Sequence, residues 1–307
     1  MNKLFRTMAV AVLATAALAV QSATYALFVG INDYPDVVDE QGNRVRGDDG
    51  QFLDDDLRGA VNDAKVMREI VTSRFGVPLA NTRMLTDKEA NKDNFVANMK
   101  WLIQSAKPGD QVVFFFSGHG VSIPVVDSKE EDGKEEAVVL ADGSLVVDDL
   151  FGDVARMLSN AGIHSTFMFD SCYSGGMSRN GKVKFLDYRT RQHYLKSVEP
   201  AVLSPLAKAE TFRLQPRQAT TPRGEFAFFL ASQEDKPAID ISGVKDLDPH
   251  GVFTLVLSSV LADEPGISSR NLIEAVKKLL EELKFDQGPN AEFSTPARAE
   301  KPFSVKT

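Results

Sequence analysis

Two apolar runs constrain this chain more than any other feature, because each stops abruptly at a polar, glycine-bearing turn. Residues 112–116 (Val-Val-Phe-Phe-Phe) lead into Ser117-Gly118-His119-Gly120. Residues 167–169 (Phe-Met-Phe) lead into Asp170-Ser171-Cys172-Tyr173-Ser174-Gly175-Gly176. A short, continuous apolar run bounded in this way reads as a strand covered on both faces. Strands of that kind build mainly parallel sheets, which carry their chemistry outside the C-terminal strand ends. If the two runs are sheet neighbours, His119 and Cys172 emerge side by side.

The remaining pattern agrees with such a sheet. Residues 25–31 read as a first, central strand, and 36–56 as a long polar loop. Leu57, Ala60, Val61, Ala64, Met67 and Val71 follow helical spacing, with Asp56 as N-cap. A short strand at 81–85 and a helix marked by Phe95, Met99, Leu102, Ile103 and Ala106 precede the histidine strand; Pro108-Gly109 stops that helix. Residues 137–140 and 145–147 flank a hairpin turn. Asp148 and Asp149 open a helix running to Leu158. A buried strand at 225–232 and helices at 252–261 and 272–283 follow, and the weakly patterned tail 285–307 is a candidate edge strand. Alternating strands and helices predict an α/β three-layer sandwich, a central, mostly parallel sheet with helices on both faces.

One segment differs in kind. Residues 179–223 hold ten Lys or Arg against three Asp or Glu, are punctuated by Pro200, Pro205, Pro216 and Pro222, and show no sustained period. They read as a long exposed loop. The expected organisation is a signal peptide at 1–23, one domain at 24–284 (24–178, the basic loop 179–223, and 224–284), and a tail at 285–307. The leader reading rests on Lys3 and Arg6, the apolar run 8–20 and small residues near 17–23. It predicts export to a periplasmic or extracellular compartment, with no stable membrane span after removal. Hydrophobic residues make up 43% of the 307, enough for one large core, and the net charge of -8 argues against nucleic acid as a partner.

The chemistry lies at the two strand ends. A lone cysteine is usually a small buried hydrophobe, and a lone histidine is usually structural. Paired at neighbouring strand ends, each flanked by glycine, they read instead as a thiol nucleophile and its base. The exported chain has a single cysteine, so no intrachain disulfide competes for the thiol.

These motifs resemble the histidine and cysteine motifs of the caspase-like cysteine peptidases (peptidase family C14), especially metacaspases and their bacterial relatives. The resemblance extends to residues 26–34 (Ala-Leu-Phe-Val-Gly-Ile-Asn-Asp-Tyr), 57–64 (Leu-Arg-Gly-Ala-Val-Asn-Asp-Ala), 231–235 (Ala-Ser-Gln-Glu-Asp) and 250–254 (His-Gly-Val-Phe-Thr). It implies a cysteine-type endopeptidase with a caspase-like fold, a Cys172–His119 dyad, and an oxyanion hole from the backbone N–H groups of Gly120 and Cys172. It implies cleavage after Arg or Lys of protein or peptide substrates, through a pocket of Asp63, Ser117 and Asp170. Carboxylates beside the dyad suit a guanidinium or ammonium group. The chemistry itself requires no cofactor. The resemblance also implies calcium as an activator, with Asp132, Asp148 and Asp149 where that family's acidic ligands lie, although Arg179 stands where another acid is usual. The same acids read equally as a solvated loop and a helix N-terminus. A non-catalytic caspase-like binding or scaffold module is the alternative; such modules lose the Cys or the His, and this chain keeps both. No third catalytic residue is legible.

Overall fold

The computed structural model describes residues 22–36, 38–39, 41–47, 50–124, 134–172, 182–184, 223–232 and 236–303. In chain order the main elements are β1 (Thr24–Gly30), α1 (Ala60–Ser73), β2 (Thr82–Thr86), α2 (Lys92–Ser105), β3 (Gln111–Ser117), β4 (Gly120–Pro124), β5 (Lys134–Val139) and β6 (Leu145–Val147). There follow α3 (Asp148–Asn160), β7 (His164–Asp170), β8 (Lys182–Val183), β9 (Phe226–Leu230), β10 (Ile239–Ile241), β11 (His250–Gly251), α4 (Val252–Asp263), α5 (Ser269–Glu282), β12 (Asn290–Phe293) and α6 (Pro296–Ala299).

Six strands form the central sheet in the order β12-β9-β7-β3-β1-β2, parallel except for β12, which runs antiparallel to β9. Every residue of β3 is buried, as the apolar run requires of a strand covered on both sides. Side chains alternate between the two faces. Phe114, Phe116, Phe167 and Phe169 join the core beneath α2 and α3, where Phe151 stands 5.2 Å from Phe114 and 4.8 Å from Phe169, ring centre to ring centre. Val113, Phe115 and Met168 face α1, α4 and α5. Full burial of one such side chain contributes about 1.5–3 kcal/mol, so these two strands are held firmly up to their polar ends. Two three-stranded antiparallel sheets, β4-β5-β6 and β11-β10-β8, lie outside this sheet.

Two expectations need correction. The helix read from Leu57 begins at Ala60, and Asp56 does not cap it. Asp56 Oδ1 instead accepts the Tyr34 N–H, while Asp240 accepts the free N–H groups of Arg58 and Gly59 from outside the helix. A cap supplied across 181 residues of sequence leaves no local signal. The basic segment is not exposed throughout, because Lys182 and Val183 form β8 and Lys184 is fully buried. The tail adds the expected edge strand: β12 pairs antiparallel with β9, and Arg298 and Phe303 beyond it are buried.

The candidate active site

β3 and β7 are neighbours in register, with Ser117 opposite Asp170. His119 and Cys172 therefore each follow a paired strand end by two residues. A third strand end joins them from outside the sheet: Lys184, which extends β8.

Lys184 occupies the site twice over. Its carbonyl oxygen accepts the N–H of Gly120 at 3.0 Å and of Cys172 at 3.4 Å. These are the two donors expected to form the oxyanion hole. Its ammonium donates to Ser117 Oγ at 2.8 Å and Asp63 Oδ2 at 3.0 Å, and lies 3.1 Å from Asp170 Oδ1. The three residues expected to bind a basic side chain thus surround one. All four side chains are inaccessible to solvent. Burial alone would lower the Lys184 pKa, but Asp170, Asp63 and Asp240 outweigh it, and the net shift is upward. The lysine is charged.

Each carboxylate is fixed from behind. Ser117 Oγ donates to Asp63 Oδ2 at 2.7 Å, Gly251 N–H reaches both Asp63 oxygens at 3.0 Å, and His250 Nδ1 lies 3.0 Å from Oδ1. Thr254 donates to Asp170 Oδ2 from its N–H (3.1 Å) and its hydroxyl (2.6 Å). Burial raises the Asp170 pKa; Lys184 opposes this and Asp63 adds to it. Gly251 is required by space. A Cβ there would stand 2.1 Å from Asp170 Oδ2, 2.3 Å from Lys184 Nζ and 2.7 Å from Asp63 Oδ2, so any side chain would fill the pocket.

His119 is held by backbone and ring. Its Nε2 lies 2.6 Å from the carbonyl oxygen of Asp55. A carbonyl can only accept, so this contact puts the proton on Nε2 and leaves the lone pair on Nδ1. Nδ1 is buried and hydrogen-bonded to nothing among the described residues. Tyr34 Oη accepts the His119 N–H at 2.8 Å, and the two rings lie 4.7 Å apart.

In this closed state the pair is not ionised, contrary to the expected thiolate on an open loop. Cys172 is fully buried. Burial, reinforced by Asp170, pushes the thiol up to about 12, against the Ala238 backbone and Lys184. Burial also brings the imidazole down to about 3; Lys182 and Lys184 repel its charged form, and the Lys184 carbonyl offsets part of the shift. Thiol and imidazole thus both stand neutral, each two residues beyond one of two neighbouring strand ends, near the bound Lys184 carbonyl.

Sequence reasoning missed the Asp55 carbonyl, Tyr34, Lys184, His250, Gly251 and Thr254 as parts of this site. Tyr34 and the 250–254 segment lay inside quoted motifs, yet nothing local assigned them a role. Asp55 acts through its backbone, which any residue type carries.

Two of the three expected metal ligands, Asp148 and Asp149, are among the described residues. Asp148 and Asp149 are exposed at the start of α3, where Asp149 N–H donates to Asp148 Oδ1 at 2.9 Å. With Glu136 and Glu292 they line a cleft of about 280 Å³. Asp132 and Arg179 lie outside the described residues. Among those described, no three His, Cys, Asp or Glu are grouped to hold a metal ion. The carboxylate oxygens suit a hard cation, but the pair alone does not make a site.

Comparison with known proteins fits this geometry. A Meyerozyma guilliermondii metacaspase-1 is 30% identical over 280 residues, which is 78% of this chain and 66% of that protein. An Aspergillus oryzae metacaspase-1A is 37% identical over 129 residues, or 39% of this chain and 30% of the relative. The chain thus spans about a third of the length of some curated relatives and two thirds of another. A Geobacter sulfurreducens protein of known crystal structure, 21% identical, superposes on 93% of this chain and all of its own with a TM-score of 0.61, so the two share a fold. The description "Metacaspase, peptidase C14 domain" matches residues 25–179, half the chain, which includes both strand-end motifs. The chain belongs to the metacaspase family of C14 cysteine peptidases.

Proposed function

We propose that this protein is a cysteine endopeptidase that cuts after Lys or Arg through Cys172 and His119. One observation carries the specificity: the Lys184 carbonyl accepts from both Gly120 and Cys172 while its ammonium is bound by Asp63, Ser117 and Asp170. That is how the residue before a scissile bond would be held. In the reaction, His119 Nδ1 takes the thiol proton as Cys172 Sγ attacks the substrate carbonyl. The oxyanion receives the N–H groups of Gly120 and Cys172. His119 gives its proton to the departing amine, leaving a thioester. Water then attacks, His119 again takes the proton, and the acid leaves with the thiol restored. The test is turnover of fluorogenic Lys, Arg and Asp peptides by wild type and by folded Cys172→Ala and His119→Ala. Lys and Arg peptides are expected to be cut by wild type alone. Preference for Asp would make the pocket assignment wrong, and activity in either variant would remove the dyad.

The same contacts make the basic segment the enzyme's own occupant. It blocks the site until the bond after Lys184 is cut, at which point the site opens. Intact-mass analysis should find wild type nicked after Lys184 and Cys172→Ala intact. Nicking of both would point to another protease, and nicking of neither would leave the segment a plain inhibitor.

Calcium enters this proposal as an activator, through Asp148 and Asp149 together with ligands beyond them, and supplies charge neutralisation rather than a chemical step. Export through the N-terminal leader is part of the same proposal; cell fractionation and N-terminal sequencing of the mature chain test it.

A further inference from the structure

Lys184 is not the only lysine that this segment delivers. β8 pairs antiparallel with β10, Val183 opposite Ile239 and Lys182 opposite Asp240. The Lys184 N–H extends the ladder to the Ala238 carbonyl at 2.9 Å. A peptide held as an added strand presents alternate side chains to the same side. Lys182 therefore leaves the strand on the side from which Lys184 enters the pocket. Its ammonium donates to the Asp56 carbonyl at 2.5 Å and lies 3.9 Å from Asp54 Oδ1. Asp54, Asp56 and Asp240 all favour its charged form, against burial.

The receiving turn is tied to the catalytic machinery. Asp54 Oδ1 accepts the Asp56 N–H at 2.9 Å, and Asp56 Oδ1 accepts the Tyr34 N–H at 2.8 Å. Tyr34 Oη in turn holds the His119 backbone, and the Asp55 carbonyl holds the His119 ring. A turn that orients the base cannot move far from the cut. Its acidic rim is thus placed at a fixed distance from the oxyanion hole, one strand repeat away.

We propose that Asp54 and the Asp56 carbonyl form a second cation subsite, which selects Lys or Arg two residues before the residue that fills the Asp63–Asp170 pocket. The preferred substrate is then an extended basic-x-basic peptide cut after its second basic residue. This rests on the reading of Lys184 as a substrate surrogate. It goes beyond that reading in assigning specificity to residues that do not touch the cut.

The experiment uses the full chain and three fluorogenic peptides, Lys-Val-Lys, Ala-Val-Lys and Glu-Val-Lys, with an Asp-ending peptide as control. An exposed ion pair of this kind is worth about a two- to fivefold change. At low ionic strength kcat/KM should be about two- to fivefold higher for Lys-Val-Lys than for Ala-Val-Lys, and about tenfold higher than for Glu-Val-Lys, with both ratios shrinking in high salt. Asp54→Asn should bring the Lys-to-Ala ratio close to one, and Asp54→Lys should invert the Lys-to-Glu ratio. A single rate for all three lysine-ending peptides would overturn the second subsite and leave the peptidase reading standing. Ratios that persist in both Asp54 variants would also overturn it. No turnover of any lysine-ending peptide, or turnover of the Asp-ending one alone, would overturn the reading beneath it.

Discussion

Replacing Lys184 with Met in the Cys172→Ala background isolates what the buried ammonium does. Methionine matches the lysine stem in volume, so little cavity forms. The variant loses contacts at 2.8, 3.0 and 3.1 Å and leaves Asp63 and Asp170 facing each other without a cation. Removing one partner of a buried ion pair costs about 3–5 kcal/mol. For a chain of this size that lowers Tm by about 6–15 °C. The pH dependence has a definite sign. Burial and Asp63 already raise the Asp170 pKa above the usual carboxylate value, and loss of Lys184 raises it further. A group whose folded pKa is raised contributes stability below its unfolded value and loses it as pH rises. The deficit is therefore largest near pH 7 and shrinks as pH falls toward 5. Benzamidine, an amidine cation, should enter the pocket only when the side chain is removed altogether, so it should raise the Tm of Lys184→Gly in the same background by mass action, with a smaller effect on the parent, whose pocket is filled. Thermal unfolding followed by circular dichroism at pH 7 and 5, with and without benzamidine, reads all of this. A Lys184→Met Tm within a degree of the parent, or a benzamidine response equal in Lys184→Gly and the parent, would refute the assignment of the Asp63–Asp170 pocket to a cation.

Gly251→Ala should close the pocket, since its methyl meets both carboxylates; kcat/KM for Arg peptides should fall about 100-fold, while alkylation of Cys172 continues. Asp63→Asn should lower kcat/KM for Arg and Lys peptides without slowing that alkylation, and equal loss of both would mean a general collapse of the site. Iodoacetamide should label the intact Cys172 slowly at pH 7 and faster at each higher pH without a plateau below about pH 10, because burial holds the thiol at about 12; a plateau near pH 7 would show a preformed thiolate. His119, held neutral down to about 3, has a depressed folded pKa, so its stability contribution is complete above pH 6.5 and is lost toward pH 3. The urea midpoint of wild type should fall across that window more steeply than that of His119→Gln. Millimolar calcium should raise peptide turnover and Asp148→Ala should weaken the response; an unchanged rate in excess chelator removes the ion.

The sequence by itself determined the sheet and which residues end its central strands. Apolar runs such as 112–116 and 167–169, bounded by polar turns, read as strands covered on both sides, and in a parallel sheet the polar ends of such strands lie at one edge. Register then carries His119 and Cys172 to the same level. The resemblance named Ser117 and Asp170 as pocket residues, and the same register brings these two together, since they end those same strands. Other features required the folded chain. Asp240 caps α1 from β10, the Asp55 carbonyl fixes the tautomer of His119, and Gly251 floors the pocket that Asp63 and Asp170 line. These are contacts between residues far apart in sequence, made partly by backbone atoms that carry no residue signature. The basic segment shows the limit most plainly. Its charge and its prolines read as an exposed loop, because nothing local says that one lysine among ten cations will be buried. Lys184 is buried because two carboxylates from α1 and β7 converge where β8 ends, and a charged side chain leaves water only for such partners.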